Sequence, residues 1–410
     1  MYRTAGLALV LLRSSSALLA ASRSPFRSHT SSRSIFGHTS SSRMSSVLDE
    51  VDKDGSLKRS AGTFQDVVST THPTFQPGAF IRTPSVFRSF VCVDDPVFKP
   101  EAGRYHLYVC YACPWSQRAL IAWALKGLQG IVGMSATHPT WQKTHPDDDS
   151  DPHYGWAFAN PDDPPFVPPG GYGAIPSDGS IPDPIFGAKF VRDIYDKAAP
   201  PGTLKKYTVP VLWDTKTNTI VNNESSEIIK IFNSAFNEVE GVTNPGLELA
   251  PADLEEAAKE VDGWMYEEVC NGVYKAGFAK SQDAYDRAVA SIFVHLEKLE
   301  ELLSTRRYLC GDRMTLSDVR VFPSLARFDE VYAVYFKCNK KRLVDYPNIL
   351  NYCRDLYQTY SEGFASTTNM DHIKRHYYSS HKALNTYSII PIGPDFISTL
   401  KEPHNRDRPY

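Results

Sequence analysis

Cys110-Tyr111-Ala112-Cys113-Pro114-Trp115-Ser116-Gln117-Arg118 is the stretch on which the reading of this chain turns. Just upstream, Tyr105-His106-Leu107-Tyr108-Val109 reads as a buried strand. Downstream, Trp115 to Leu128 reads as a helix, with Ala119, Leu120, Trp123 and Ala124 at helical spacing. Proline suits the first helical position, because the N–H it lacks would have no partner there. Pro114 therefore puts Cys113 at the N-cap. The unpaired N–H groups of the first turn face its sulfur, and together with the helix dipole they stabilise a thiolate. Arg118 helps only by folding back toward the cap.

Cys113-Pro114-Trp115-Ser116 has the form of a dithiol redox box whose second cysteine is a serine. Ser116 cannot resolve a mixed disulfide, so a soluble thiol must do it, and glutathione is the obvious candidate. Cys110 leaves two readings open: a bystander near the strand end, or a resolving or regulatory thiol. A redox pair normally spans the first helical turn, and Cys110 precedes that turn.

Working outward, residues 138–184 are rich in Asp, Pro and Gly and read as a long loop. Ile185 to Tyr195 reads as a helix, Val209 to Trp213 as a strand, Thr215 to Asn218 as a turn, and Thr219 to Val221 as a further strand. Asn223 and Glu224 open another helix through Ile228, Ile229 and Phe232. Strand, helix, loop, helix, strand, strand, helix is the thioredoxin-like order. After Pro251 the pattern becomes helical: Leu254 to Val269, then a face of Ala288, Ile292, Leu296, Leu299 and Leu303, then Asn348 to Tyr357. Thr315-Leu316-Ser317-Asp318 reads as a capping box, which is folding equipment rather than chemistry.

The chain has 410 residues, enough for two domains with extensions. A net charge of -3 asks for no nucleic acid partner. The seven cysteines are irregularly spaced, which points to a reducing compartment rather than a disulfide framework. No run of 18 uninterrupted apolar residues suggests a membrane span. Residues 1–48 contain no Asp or Glu and carry arginines at 3, 13, 23, 27, 33 and 43, the texture of a mitochondrial presequence. A secretory signal and a plain disordered tail are the rivals. Met44, just before the acidic residues begin, would give a cytosolic form as a second start. The expected division is a targeting segment at 1–48, an extension at 49–87, a thioredoxin-like domain at 88–245, an all-helical domain at 250–375 and a C-terminal extension at 376–410.

Two more elements belong to the candidate site. In thioredoxin-like domains a cis proline before a strand lies against the active cysteine, and Val209-Pro210 stands where that proline is expected. Residue Val209 would then offer its backbone to the peptide part of glutathione. At the start of the next helix, Ser225 with nearby N–H groups suits a glutamyl carboxylate, and Glu224 suits an ammonium. Simple helix capping is the competing reading there. The histidines at 372, 376 and 381 invite a metal, but His372 and His376 are interleaved with Lys374 and Arg375 and no carboxylate except Asp371 stands at ligand spacing, so no metal is expected.

Several stretches together resemble the glutathionyl-hydroquinone reductases, a class within the glutathione transferase superfamily. They are RYHLYV at 104–109, ACPWSQRAL at 112–120, TVPVLWD at 208–214, NNESSEII at 222–229, GVYKAGFA at 272–279, RFDEVY at 327–332, YFKCN at 335–339 and DHIKRHYYSSH at 371–381. The resemblance implies an α/β thioredoxin-like N-terminal domain followed by an all-α glutathione transferase C-terminal domain, and a homodimer. It also implies catalysis by Cys113 on glutathionylated aromatic small molecules, with glutathione as co-substrate. Family tyrosines that hydrogen-bond the hydroquinone oxygens match Tyr274 and Tyr377, with Tyr332 and Tyr335 in the same pocket. The family tryptophan near glutathione matches Trp156. The chain departs from its relatives in Cys110, in Ser116-Gln117 where Ala-His is commoner, and in a longer loop at 143–183. Two rivals share most of these features: an omega-like thiol transferase or dehydroascorbate reductase, and a non-catalytic binding module.

Overall fold

The computed structural model describes residues 78–410, apart from 201, 202 and 205. The targeting segment and most of the N-terminal extension therefore lie outside the described residues. Strand β1 (Tyr105–Val109) runs parallel to β2 (Val132–Ala136) and antiparallel to β5 (Val211–Asp214), and β5 pairs antiparallel with β6 (Thr219–Asn222). The sheet order is β2-β1-β5-β6. Alternate residues of a strand point to opposite faces. Leu107 and Val109 accordingly share a core with α1 (Pro114–Leu125) and α3 (Ser225–Ser234). Tyr108, Val211 and Trp213 share another with α2 (Val191–Ala198) and Cys113.

Strand β2 was not expected. Its sequence, Val-Gly-Met-Ser-Ala, alternates weakly, and its placement comes from the parallel ladder to β1. Gly133 is required there: a Cβ would lie 2.6 Å from His106 Nδ1. The long loop holds only the two-residue strands β3 (Gln142–Lys143) and β4 (Tyr154–Gly155), paired with each other.

The helix read over 185–195 is shorter than expected. Asp183 accepts hydrogen bonds from the backbone N–H groups of Ile185, Phe186 and Ala188, each at 3.0 Å. Those amides are thereby withdrawn from a helix, and α2 begins only at Val191, with Asp193 accepting from the Phe190 N–H at 2.9 Å.

The second half is helical: α4 (Glu255–Trp264), α5 (Gly272–Gly277), α6 (Gln282–Thr305), α7 (Leu316–Ala326), α8 (Pro347–Thr359), α9 (Met370–Ser380) and α10 (Phe396–Leu400). The helix expected over 254–269 stops being α-helical at Trp264 and continues as a π-type turn over Met265–Cys270. A second π-type turn, Phe328–Tyr332, follows α7. Helix α9 runs unbroken through residue 376, so the boundary drawn there from sequence cuts a helix. Asp318 accepts from the Thr315 N–H at 2.7 Å, as a capping box requires. The Thr315 hydroxyl, however, donates to that same carboxylate at 3.1 Å, and the Asp318 N–H goes to the Thr315 carbonyl. No described helix is long and apolar enough to cross a membrane.

Candidate active site

Cys113 caps α1 with extended backbone (φ -77°, ψ 121°), and Pro114 takes the first helical position. The residue is 8% exposed, and its Sγ lies 3.6 Å from the Val209 carbonyl oxygen. The Val209–Pro210 peptide bond is cis. Sequence reasoning thus brings these three residues together, and the structure puts them in contact.

Ser116, where a dithiol enzyme has its second cysteine, accepts a hydrogen bond from the Cys110 N–H at 3.3 Å. It steadies the loop in place of a thiol. Cys110 itself is fully buried, and burial pushes its thiol up to about 12. Such a group stays protonated and inert at neutral pH, which favours the bystander reading.

Glu224 is the N-cap of α3, accepting from the Ser226 N–H and from the Ser85 hydroxyl, each at 3.1 Å. Glu224 therefore caps this helix with its own side chain. Ser225 is different. Its hydroxyl is buried and has no hydrogen-bond partner among the described residues. A buried hydroxyl left unpaired is costly, and a ligand oxygen at this helix start would satisfy it.

Trp156 lies in the same apolar cluster as Cys113 and Val209. Its ring stacks on His376 of α9 at 4.6 Å and meets Trp141 edge-on at 5.5 Å. The His376 and His381 rings meet edge-on with centroids 5.4 Å apart. His376 Nδ1 binds the Pro139 carbonyl oxygen at 2.7 Å, and His372 Nε2 binds that of Asp178 at 2.7 Å. Burial lowers His376 well below its usual range and His381 to about 4, so both rings are neutral near pH 7.

The helical half supplies a row of phenols. The Tyr274 and Tyr377 hydroxyls hydrogen-bond each other, and the Tyr332 hydroxyl lies 3.3 Å from that of Tyr377. Trp115, two residues after the cysteine, packs on the Tyr274 ring with centroids 4.9 Å apart. Burial pushes Tyr274 well above the usual phenol range; Tyr332, Tyr377 and the charge of Cys113 add to this. Burial does the same to Tyr377. Both are therefore O–H donors at neutral pH. Gly277 makes room for this packing, because a Cβ there would sit 2.2 Å from a Phe336 ring atom. Tyr335 stands apart from the row: its ring lies against Tyr378 and His381, and its hydroxyl donates to the His381 carbonyl oxygen at 3.4 Å.

The described arrangement is a cysteine at a helix N-terminus, an unpaired serine at a neighbouring helix start, and phenol donors beyond Trp115. Family models match both halves: "Glutathione S-transferase, N-terminal domain" over residues 112–235 and "Glutathione S-transferase, C-terminal domain" over 282–355. The glutathionyl-hydroquinone reductase YqjG of Escherichia coli is 42% identical over 337 residues, covering 80% of this chain and 93% of that protein. The chain belongs to the glutathionyl-hydroquinone reductases of the glutathione transferase superfamily. The Xi glutathione transferase ECM4 of Saccharomyces cerevisiae, solved in complex with glutathione, superposes with a TM-score of 0.70 at 35% identity, covering 81% of this chain and 99% of that one. A Schizosaccharomyces pombe relative named glutathione S-transferase omega-like 2 is 38% identical over 334 residues, with coverages of 80% and 98%.

Residues that the sequence did not single out also lie around Cys113. Trp141 and Trp115 were unmarked aromatics. Arg327, the first residue of RFDEVY, is fully buried and donates to the carbonyl oxygens of Ala112 at 3.1 Å and Tyr111 at 3.0 Å. Its place in a family stretch was the available signal. Nothing local to residue 327 reveals that it reaches a loop more than two hundred residues earlier.

Proposed function

We propose that this chain reduces S-glutathionyl-hydroquinones to hydroquinones, with glutathione as reductant and glutathione disulfide as the second product. The Cys113 thiolate attacks the sulfur of the bound conjugate and forms a Cys113–glutathione disulfide. The carbon–sulfur bond breaks, and its electron pair goes to the aromatic carbon, which takes up a proton. A second glutathione, as thiolate, attacks the mixed disulfide, giving glutathione disulfide and restoring Cys113. The Cys113 cap, Val209 and Ser225 would hold the glutathionyl part, with Trp156 behind it and Glu224 near its ammonium. The Tyr274 and Tyr377 hydroxyls would hydrogen-bond the hydroquinone oxygens, with Tyr332 completing the row.

One observation carries this reading. Trp115 connects the capping cysteine to a row of neutral phenols, a donor set suited to the oxygens of a small aromatic diol. The test is steady-state turnover of glutathionyl-benzohydroquinone by wild type and Cys113→Ser. Mass measurement of the wild type should find an adduct of one glutathione less one hydrogen on Cys113. An enzyme that turns over without Cys113 sinks the mechanism.

The relative named omega-like gives a second reading, a general thiol transferase or dehydroascorbate reductase. The same preparation assayed with dehydroascorbate separates the two. We further propose a homodimer, checked by light scattering. Mitochondrial import through residues 1–48, with a cytosolic form from Met44, is checked by tagging each start separately.

A further inference from the structure

Arg327 lies where α7 passes into the π-type turn that carries Tyr332. All of its hydrogen-bond partners among the described residues are neutral. Nε donates to the Ala112 carbonyl oxygen and Nη2 to that of Tyr111, while Nη1 donates to the Pro323 carbonyl oxygen at 2.7 Å and to Gln117 Oε1. Of the other buried arginines, Arg104 pairs with Asp214 at 2.6 Å, while Arg118 and Arg406, like Arg327, bind backbone carbonyl oxygens. A buried charge without a counter-ion is expensive, and folds normally pair it.

The partners of Arg327 are not scattered. Tyr111 and Ala112 immediately precede Cys113, and Gln117 lies one turn after it on α1. The guanidinium therefore grips both sides of the N-cap from the opposite half of the molecule. Gln117 extends the grip: its Nε2 donates to Thr368 Oγ1 at 2.8 Å, just ahead of the helix that bears Tyr377. The charge also reaches the phenols. At Tyr332 and Tyr377, burial dominates and raises both groups, and Arg327 is the leading opposing charge.

We propose that Arg327 is a positioning residue that locks the Cys113 cap and supplies positive charge to the reaction's anions, the Cys113 thiolate and the negative charge that develops on the leaving hydroquinone. A fixed charge in a water-poor site acts on such anions more strongly than one in solvent. The choice of hydroquinone as leaving group rests on the function proposed above; the effect on the thiolate does not.

The test uses the full-length protein with Cys92→Ser, which removes the exposed thiol. It follows iodoacetamide labelling of Cys113 from pH 5 to 9 by peptide mass, together with kcat and KM for glutathionyl-benzohydroquinone. Arg327→Met is expected to slow labelling at pH 7 by about fivefold or more and to displace the profile to higher pH. The same variant should lower kcat about tenfold or more, with KM nearly unchanged, because the lost interaction matters after binding. Arg327→Lys should restore the labelling profile, since it keeps the charge, but only part of kcat, since it loses the fork. Gln117→Glu guards against a folding failure of Arg327→Met. It keeps the shape and the bond from Arg327, loses the amide donor to Thr368, places a carboxylate on Arg327, and should displace the labelling profile in the same direction. Labelling profiles that coincide with wild type in both Arg327→Met and Gln117→Glu overturn the proposal and leave Arg327 as packing alone. Wild type that labels normally but fails to turn over the hydroquinone conjugate counts against the proposed function instead.

Discussion

Cys113 is held by backbone, whereas Tyr274, Tyr332 and Tyr377 are held by one another. In the thioredoxin-like half, a proline at the first helical position, an N-cap and the carbonyl of Val209 fix one sulfur, and the parts needed lie on two short segments. In the helical half, three hydroxyls from α5, a π-type turn and α9 meet through side-chain contacts alone, separated by 103 residues between Tyr274 and Tyr377. A nucleophile needs one geometry in every reaction it performs, so rigid backbone suits it. Recognition of a ring needs donors at spacings that only packing sets. The thiol chemistry should therefore be separable from the choice of acceptor.

The largest effect should come from the backbone-held end. Cys113→Ser should cost about a thousandfold or more in turnover of every glutathione-dependent substrate, by loss of the covalent step. Disappearance of the glutathione adduct in the mass spectrum checks it.

Tyr377→Phe is the sharpest test of the division. It should lower hydroquinone-conjugate turnover by about a hundredfold, the scale of one lost donor at a reacting centre. Reduction of a simple glutathione mixed disulfide should change less than about threefold, because no aromatic oxygen is involved. Equal losses on both substrates would show that the two halves do not divide the work.

Acid should weaken the fold through its buried histidines. His106, His138 and His153 are each lowered to about 4 by burial, from 6.5. Their unfolded forms take up protons below pH 6.5 while the folded forms do not. The stability they contribute is complete above that pH and is lost as pH falls toward 4, by up to about 3 kcal/mol each. Urea titrations between pH 6.5 and 4.5 measure the slope, and His106→Gln should flatten it by one proton.

The smallest effect belongs to Cys110→Ala. A buried bystander should change turnover less than about twofold and stability by about 1 kcal/mol. A drop in turnover comparable to that of Cys113→Ser would restore the resolving-thiol reading and make the two cysteines a pair.

What could be read in advance follows the same line. Strand β1, the start of α1, the turn at 215–218 and the opening of α3 are short-range patterns, and the structure reproduces them. Strand β2 and residues 185–190 were misread because their state depends on distant partners: the edge of β1 for one, and the Asp183 carboxylate beneath three amides for the other. Among the site residues, Glu224 caps its helix, while the neighbouring Ser225 hydroxyl has no partner among the described residues. Sequence could not tell these adjacent residues apart, since either suits a helix start.

The amino-acid order alone determined that a cysteine caps a helix, that a proline precedes a strand near it, and that an all-helical half follows, because caps, turns and periodicity are set by neighbours a few residues apart. The three-dimensional packing alone decided which tyrosine hydroxyls touch, that Tyr335 stands outside their row, and that Arg327 grips the cysteine loop. Those relations join residues far apart in the chain, and their distances exist only once both halves are folded against each other.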